Sequence, residues 1–392
     1  MTALSNLKIL DLSTLLPGPY ATMVMADLGA QVIHIESPNR ADMVRTTGPF
    51  AEGVATAHST LNRNKRAMTL DLKIPDAIAL VKRLVLDYDI LVEQFRPGVM
   101  DKLGLSYAVL KDINPRLIYC SLTGYGQTGP YRQRAGHDIN YLSIAGINGY
   151  SGRRGAATPL MGIQVADLAG GSMQALVGIL AAVNQRHITG EGQTVDVSMT
   201  DGVFALNSLA GSGYLGAGVV PQPQSFALNG GSFYDYYETA DARYLSIGSL
   251  EPKFLAGLAK ILDEPRIETL GIQHNQRQQD ATRELLASII GGETLAHWTT
   301  VFANEDVCVE PVLRFDEACD HAQLQSRGML VEVDAFDGTK QRQIGSPFKL
   351  SAADINYRHS GAPLGYHNRE ILEELDLDDN AIQILNRSGA LG

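Results

Sequence analysis

The sequence predicts an α/β protein in which a doubly wound, Rossmann-like large domain is combined with a smaller α+β domain. Strand-like and helix-like runs alternate through residues 1–210, which is the pattern of a parallel sheet. The composition then shifts to Gly, Pro, Ser and Gln over residues 211–230, which predicts a linker. A hairpin and three helices are predicted within residues 231–325, and residues 326–392 are expected to return to the large domain.

The strands and helices of the large domain follow from short runs of residues. LKILDLS and QVIHIES are apolar runs that predict strands, and PGPYATMVMADLGA between them has helical spacing with Pro at its start. The same order recurs in AMTLDLK, IPDAIALVKRLVLDY and DILVEQF, while RLIYCSLTG and QTVDVSM add two strands. LAGGSMQALVGILAAVNQ predicts a buried helix, and TDGVFALNSLAGSG predicts a further one.

The smaller domain is predicted from the segments that follow the linker. FYDYYETADARYLSIGSL predicts two strands around a polar turn, and EPKFLAGLAKIL, ATRELLASII and ETLAHWTTVFA predict helices. In the tail, MLVEVD is strand-like and NREILEELDLDDNAIQILNRS has a helical pattern.

Charge and cysteine content argue against several classes of protein. The 392 residues carry 32 Lys and Arg against 43 Asp and Glu, and the net charge of −11 argues against a nucleic-acid-binding surface. Three cysteines without a C-x-x-C pair suggest neither a zinc site nor a disulfide framework. The N-terminus lacks the pattern of a signal peptide, and the uncharged stretch Leu168–Gln185 contains enough Gly and polar residues to favour a buried helix over a membrane span. We therefore expect a cytoplasmic protein that does not bind membranes.

One glycine motif is expected to be a turn. GYGQTG, Gly124 to Gly129, fits the G-x-G-x-x-G pattern of dinucleotide-binding proteins. That pattern also requires a helix at the third glycine and an acidic residue about 20 positions later. Here Pro130 follows at once and position 149 is glycine, so nicotinamide binding is not predicted.

Two arginines occupy positions where open α/β sheets bind ligands, beyond the carboxyl ends of strands. Arg40 follows the predicted strand that ends near Glu36, and Arg96 follows the strand in DILVEQF. A guanidinium group at either place could hold a phosphate, or it could be a solvated loop residue. Arg63 and Arg66, in NRNKRA, come before a strand and taken alone indicate a surface cluster.

Three acidic or basic residues lie at the starts of predicted helices. His137, in AGHDINYLSIAG, could be structural, and Asp167 could simply cap the long apolar helix that it precedes. Residues 169–171, Ala-Gly-Gly, would however leave that helix start open to a ligand. Glu251 precedes Pro252 at a helix start, where an acidic residue is favoured in any case.

Several longer segments together resemble family III CoA-transferases, the superfamily that includes α-methylacyl-CoA racemase. The resemblance covers most of the chain and is carried by LLPGPYATMVMADLGAQVIHIESP, DILVEQFRPGVMDKLGL, GYGQTGPYRQRAGHDINYLS, GGSMQALVGILAAVNQRHITGEGQTVDVSMTDG and FYDYYETADARYLSIGSLEPKF. HWTTVFANEDVCVEPVL is similar to the racemase branch. The segment Leu168–Gly171, Leu-Ala-Gly-Gly, departs from the usual Phe-Gly-Gly-Gly of that branch, which could alter the acyl pocket.

The resemblance implies a fold, a dimer and a set of site residues. The fold would be that of an interlocked homodimer, with coenzyme A (CoA) bound along the large domain. His137 matches the histidine of the racemase branch, Asp167 the carboxylate shared by the superfamily, and Glu251 the acid that orients the histidine from the partner subunit. Four arginines are the implied contacts of CoA: Arg40, Arg63, Arg66 and Arg96.

The predicted function is that of an acyl-CoA racemase or epimerase that inverts the α-carbon of a 2-methylacyl-CoA. His137 and Asp167 would be the two bases, and backbone N–H groups after Asp167 would hold the oxygen of the enolate. No metal or prosthetic group is required, and CoA enters as part of the substrate. In the alternative, a CoA-transferase, Asp167 would attack the thioester to give an acyl anhydride and then an aspartyl-CoA thioester. A third alternative is an acyl-CoA-binding protein without activity, and the acyl chain stays open among branched fatty, sterol side-chain and aryl-substituted acids.

Overall fold

The computed structural model describes residues 2–273 and 275–392, and the chain divides into two compact units. The first unit comprises Met1–Ala145, Met161–Leu206 and Ala322–Gly392, and the second comprises Gly146–Leu160 and Asn207–His321. These bounds differ from the predicted ones, because residues 146–160 and the predicted linker 211–230 belong to the second unit. Part of that linker is helical, since a helix spans Ser208–Ala217.

The first unit is built on a six-stranded parallel sheet, so the predicted doubly wound α/β fold is confirmed. Its spatial order is β5-β2-β1-β6-β7-β8, in which the chain first extends the sheet to one side of β1 and then to the other. A short hairpin, β3–β4, and a two-stranded sheet, β12–β13, also belong to this unit. The strands of the first unit are β1 Lys8–Leu12, β2 Gln31–Glu36, β3 Phe50–Ala51, β4 Val54–Ala55, β5 Arg66–Thr69, β6 Ile90–Glu93, β7 Ile118–Thr123, β8 Thr194–Ser198, β12 Leu330–Asp334 and β13 Lys340–Ile344.

Helices of the first unit cover the sheet. They are α1 Pro17–Asp27, α2 Thr56–Leu61, α3 Pro75–Val85, α4 Val99–Lys102, α5 Tyr107–Ile113, α6 Asp138–Ile144, α7 Met173–Thr189, α8 Met199–Ala205, α15 Ala322–Ser326, α16 Asn368–Glu374 and α17 Asp379–Arg387. Ile371 of α16 and Leu385 of α17 join the core cluster that contains Leu10 of β1 and Leu84 of α3. The C-terminal tail therefore packs on the large domain.

The helix α7 is preceded by a π-helical segment, Ala166–Ser172. The combined stretch Ala166–Thr189 is long and apolar enough to cross a membrane by length and composition, and half of its most apolar window is buried. It packs against α1, β7 and β8 within the protein.

The second unit contains a three-stranded antiparallel sheet with helices on one face. The strands are β9 Asp235–Glu238, β10 Tyr244–Ile247 and β11 Val309–Pro311, in the order β11-β10-β9. Its helices are α9 Ser208–Ala217, α10 Pro252–Ile261, α11 Arg266–Gly271, α12 Gln276–Ile290, α13 Leu295–Phe302 and α14 Phe315–Asp320. The hairpin predicted from the sequence is β9–β10, with Tyr244 opposite Glu238. The helix predicted over residues 200–213 is divided, because α8 ends at Ala205 and α9 begins at Ser208.

The strand order defines a crevice beyond the carboxyl ends of β1 and β6, where the two halves of the sheet diverge. The first turn of α1 lies there, and Gln94, just after β6, accepts a hydrogen bond from the Gly18 N–H at 3.1 Å. The Ser172 hydroxyl donates to the Pro17 carbonyl at 2.7 Å and so brings the π-helical segment to the same place.

Candidate active site

His137 lies at the start of α6 in a loop whose backbone is held by its own helix. The Asn140 side chain accepts a hydrogen bond from the His137 N–H at 3.0 Å, and the Tyr141 hydroxyl donates to the Gly136 carbonyl at 2.5 Å. A Cβ on Gly136 would lie 2.6 Å from the Tyr141 ring, so glycine is required there. The His137 side chain itself is exposed in this chain.

Asp138 connects α6 to the π-helical segment. Its Oδ1 accepts hydrogen bonds from the Ala166 N–H at 2.6 Å and from the Asp167 N–H at 3.1 Å. The carboxylate thereby caps the start of that segment, as an acid at a helix N-terminus does. These hydrogen bonds of Asp138 bring its neighbour His137 into one cluster with Asp167, which lies 30 positions further along the chain.

The carboxyl group of Asp167 is electrostatically perturbed. Burial raises its pKa to about 6, the negative charge of Asp138 adds to the increase, and His137 opposes it. A carboxyl group with a pKa near 6 can both give and take a proton near neutral pH.

The glycines after Asp167 have a different role from the predicted one. A Cβ on Gly170 would lie 2.6 Å from the Met199 carbonyl oxygen, and a Cβ on Gly171 would lie 2.9 Å from the Met199 side chain. Both glycines are buried against α8, so they allow the π-helical segment to pack closely on that helix. The expectation that they leave the helix start open to a ligand is wrong.

Three backbone donors around Asp167 are engaged within the protein. The N–H groups of Ala166 and Asp167 donate to Asp138, and the Leu168 N–H donates to the Gln164 carbonyl at 3.0 Å. These three donors are already satisfied within the protein. An enolate oxygen at this site would need other donors.

Arg40 and Arg96 both lie at the carboxyl edge of the sheet. Arg40 is exposed just after β2, and Arg96 is exposed just after β6. Since β2 and β6 flank β1, the two arginines lie on either side of the crevice. Arg96 is near the active-site cluster, because its charge lowers the pKa of Tyr141 while burial and Asp167 raise it to about 12.

The other two predicted CoA contacts have structural roles. The Arg63 side chain is buried and donates to Asp27 at 2.6 Å and to the Ile344 carbonyl at 2.7 Å. Arg66 begins β5 at the amino edge of the sheet and pairs with Glu370 at 3.0 Å and Glu374 at 2.6 Å. Their guanidinium groups are engaged with these partners, so the structure gives no support to the predicted contacts with CoA.

Glu251 belongs to the second unit. It precedes Pro252, the first residue of α10, and the side chain is exposed. Its negative charge adds to the effect of burial in raising the pKa of Cys308.

Reasoning from the sequence missed Asp138 as part of the site. The residue is adjacent to His137, but its partners are 28 and 29 positions away, so no local pattern indicates its role. It also missed Lys65, which is fully buried and bonds Asp11 at 3.1 Å and the Pro19 carbonyl at 2.9 Å. No group of three or more His, Cys, Asp and Glu side chains within residues 2–273 and 275–392 is arranged to hold a metal ion.

Comparison with known proteins places the chain in a family. It is 35% identical to human α-methylacyl-CoA racemase, over 98% of this chain and 96% of the racemase. It is 32% identical to succinate–glutarate CoA-transferase of Agrobacterium fabrum, over 95% of this chain and 96% of the transferase. A CAIB/BAIF family protein from Brucella suis has a similar structure, with a TM-score of 0.82 and 29% identity over 96% of this chain and all of the other. The family model of CoA-transferase family III matches residues 4–368, and the chain belongs to this family of enzymes.

Proposed function

We propose that the protein is an acyl-CoA racemase or epimerase that inverts the α-carbon of a 2-methylacyl-CoA by 1,1-proton transfer. The observation that carries the proposal is the cluster of His137 and Asp167, in which burial and the charge of Asp138 raise the pKa of Asp167 to about 6. Inversion requires one group that removes the α-proton and a second that returns a proton to the opposite face. A carboxyl group with a raised pKa can serve as the base in one direction and as the acid in the other.

In one direction, the Asp167 carboxylate removes the α-proton and the electron pair of the C–H bond moves into the thioester, giving an enolate. Protonated His137 then donates its proton to the other face of the α-carbon. In the reverse direction, neutral His137 removes the proton and protonated Asp167 returns one. Each positioned base contributes roughly 10²–10⁴-fold to the rate.

CoA is proposed to bind at the carboxyl edge of the sheet. Arg40 and Arg96 are exposed on either side of the crevice and are suited to charge-assisted bonds with phosphate oxygens. The acyl-CoA is a substrate of the reaction and no metal or prosthetic group takes part in the proposed steps.

Glu251 is proposed to orient His137 across the subunit boundary of a homodimer. An acid that accepts a hydrogen bond from an imidazole holds its tautomer and stabilises its charged form. Support for a dimer comes from helix α9, on which Leu209, Tyr214 and Leu215 are 64%, 53% and 80% exposed. Large apolar side chains left uncovered along one element are typical of an interaction surface.

A second candidate, CoA transfer, is favoured by the 32% identity to succinate–glutarate CoA-transferase of Agrobacterium fabrum. In that reaction Asp167 attacks the thioester carbonyl, and expulsion of CoA as a thiolate from the tetrahedral adduct leaves an acyl anhydride. The thiolate then attacks the aspartyl carbonyl, which releases the first acid and forms an aspartyl-CoA thioester. A second carboxylate attacks this thioester and expels the CoA thiolate, giving a new anhydride. The thiolate finally attacks the acyl carbonyl of the second acid, which forms the new acyl-CoA and releases the Asp167 carboxylate.

The two reactions are separated by measuring α-proton exchange in ²H₂O beside CoA transfer to an added carboxylic acid. For a racemase, His137→Ala and Asp167→Asn should each reduce epimerisation by roughly 10²–10⁴-fold, because one face of the α-carbon loses its proton carrier. For a transferase, Asp167→Asn abolishes transfer while His137→Ala retains much of it. Near wild-type epimerisation by the His137→Ala enzyme would contradict the two-base mechanism.

A further inference from the structure

The loop that follows β2 carries Arg40 and is anchored by one buried side chain. Within residues 37–45, all of which the structure describes, Asp42 is the only buried residue, with 3% of its surface exposed. An acidic side chain is seldom buried unless its oxygens have partners, because the charge loses its hydration. The partners of Asp42 therefore show what holds this loop in place.

The Asp42 carboxylate joins two loops at the carboxyl edge of the sheet. Its Oδ2 accepts a hydrogen bond from the Leu15 N–H at 2.8 Å, across 27 positions of sequence. Its Oδ1 accepts a hydrogen bond from the Val44 N–H at 3.1 Å and caps the short 3₁₀ turn Met43–Arg45. One side chain thus ties the loop after β2 to the turn between β1 and α1, which leads into the crevice.

The turn between β1 and α1 is held by contacts that do not involve Asp42. Asp11 accepts a hydrogen bond from the Ser13 N–H at 3.0 Å, and Gln94 accepts one from the Gly18 N–H at 3.1 Å. Leu15 lies between these contacts with a φ of 64°, a left-handed conformation that residues other than glycine adopt only where their surroundings impose it. The turn is therefore the fixed partner, and the loop after β2 is the segment that the Asp42–Leu15 bond places.

The loop is closed on Glu36, the last residue of β2. Glu36 accepts hydrogen bonds from the Asp42 N–H at 3.1 Å and from Nε of Arg45 at 2.9 Å. Arg40 lies between Glu36 and Asp42 and forms an isolated β-bridge with Ser37. It thus belongs to a short closed segment, whose position at the crevice depends on Asp42.

We propose that Asp42 is a positioning residue for CoA binding, which holds the Arg40 guanidinium group at the crevice through the Asp42–Leu15 bond. This inference rests on the proposed function, because Arg40 has to contact a phosphate of CoA for the position of its loop to matter. Without the bond, CoA would have to order the loop as it binds, and the cost of that ordering lowers the affinity. The two bases His137 and Asp167 are untouched by this change.

The test is a double-mutant cycle on CoA affinity, measured by titration calorimetry with the full-length protein. Asp42→Asn retains one carbonyl oxygen, and its amide group cannot accept the second N–H bond. We expect this variant to bind CoA about tenfold more weakly than the wild type, and Arg40→Ala to bind it at least as weakly. In the Arg40→Ala background, Asp42→Asn should change the affinity less than about twofold, because Asp42 acts through Arg40.

Asp42→Ser is a second variant with a smaller risk to folding. Serine is a favoured cap and can keep the bond with the Val44 N–H, but its shorter side chain is not placed to reach Leu15 as well. We expect the same loss of CoA affinity as in Asp42→Asn. In epimerisation assays with a 2-methylacyl-CoA, both variants should raise KM about tenfold and leave kcat within about twofold of the wild type, as expected when binding alone is weakened.

Asp89→Asn is the matched control. Asp89 also joins distant segments, since its Oδ2 accepts a hydrogen bond from the Lys8 N–H at 2.8 Å, but it lies at the amino edge, where β1 and β6 begin. We expect this variant to lower the melting temperature and to leave the CoA affinity within about twofold of the wild type. Equal losses of affinity in Asp89→Asn and Asp42→Asn would show general destabilisation and overturn the proposal.

The Arg40→Ala variant separates failure of this inference from failure of the proposed CoA contact. If Arg40→Ala weakens CoA binding while Asp42→Asn and Asp42→Ser do not, the loop needs no anchor and only this inference is wrong. A loss from Asp42→Asn that persists in full in the Arg40→Ala background also contradicts it. Unchanged affinity in Arg40→Ala removes the CoA contact and this inference together, and epimerisation by that enzyme would still support the two-base reaction.

Discussion

Two buried aspartates of the first unit, Asp11 and Asp167, have opposite electrostatic environments. Asp11 is fully buried in β1, and although burial would raise its pKa, Lys65 and His34 hold that pKa well below its usual range. Asp167 is partly buried, and burial together with the negative charge of Asp138 raises its pKa to about 6. The neighbours, rather than burial alone, decide whether a carboxylate is a permanent charge or can exchange protons.

The function of each aspartate follows from this difference. Asp11 accepts hydrogen bonds from the Ser13 N–H at 3.0 Å and from Lys65 at 3.1 Å, so it fixes the turn between β1 and α1. That turn leads into the crevice at which Asp167 lies. A permanently ionised carboxylate thus stabilises the framework, and a carboxyl group with a raised pKa belongs to the candidate active site.

The largest expected effect is on stability. Lys65→Met removes the cation that compensates buried Asp11, and breaking a buried pair in this way costs about 3–5 kcal/mol. Chemical denaturation should show this loss in the free energy of unfolding. The double variant Asp11→Asn/Lys65→Met should recover most of it, because no unpaired buried charge remains. Equal stability of Lys65→Met and the wild type would show that Asp11 does not depend on its cation.

An intermediate effect is expected for CoA binding. Replacing Arg40 or Arg96 with Ala should each weaken CoA binding by about 1–3 kcal/mol, the contribution of a charge-assisted hydrogen bond. Arg66→Ala is the control, because Arg66 pairs with Glu370 and Glu374 at the amino edge. Isothermal titration with CoA measures all three. Unchanged affinity in both the Arg40 and Arg96 variants would remove these residues from the CoA site.

The smallest effect is a shift in pH dependence. Because the Asp138 charge helps to raise the Asp167 pKa, Asp138→Asn should lower that pKa while its side-chain oxygen still accepts the two N–H bonds. Proton removal by Asp167 requires the ionised form, so kcat/KM for α-proton exchange rises with pH through the Asp167 pKa. In Asp138→Asn the midpoint of this rise should move to lower pH by about one pH unit or less.

A matched control for this shift is Asp201→Asn. Asp201 is a carboxylate of α8 in the same unit, and its charge raises the pKa of Asp196 instead. Its removal should leave the midpoint in place. A midpoint that moves equally in both variants would show a general effect of net charge and would contradict a specific role for Asp138.

Much of the fold could be predicted from local patterns. The apolar runs LKILDLS and QVIHIES form the adjacent parallel strands β1 and β2, in which Leu10 lies opposite Ile33. Side-chain periodicity and turn residues are local properties of the sequence. Strands and helices can therefore be predicted from them without knowledge of tertiary contacts. The break between α8 and α9 and the helix in the predicted linker were missed. The Gly-rich run over residues 211–218 resembles a linker and contains the end of α9.

The candidate site was predicted less completely. His137 and Asp167 were proposed from their positions and from the family resemblance, but Gly170 and Gly171 were given a ligand-facing role that the packing of α8 excludes. Arg63 and Arg40 look alike in the sequence, and only the fold shows that one is buried against Asp27 and the other is exposed. Neighbours that are distant in the chain leave no local signal.

The sequence by itself determined the doubly wound order of strands and helices, the family and the pair His137 and Asp167, because these depend on residue types and their spacing along the chain. Only the tertiary structure decided that Asp138 bridges the two, that the Asp167 pKa is near 6, and that Arg96 and not Arg63 is free for a ligand. Electrostatic energies depend on distance and burial in three dimensions. An aspartate carboxylate therefore stays ionised beside Lys65, as Asp11 does, and has a raised pKa beside Asp138, as Asp167 does.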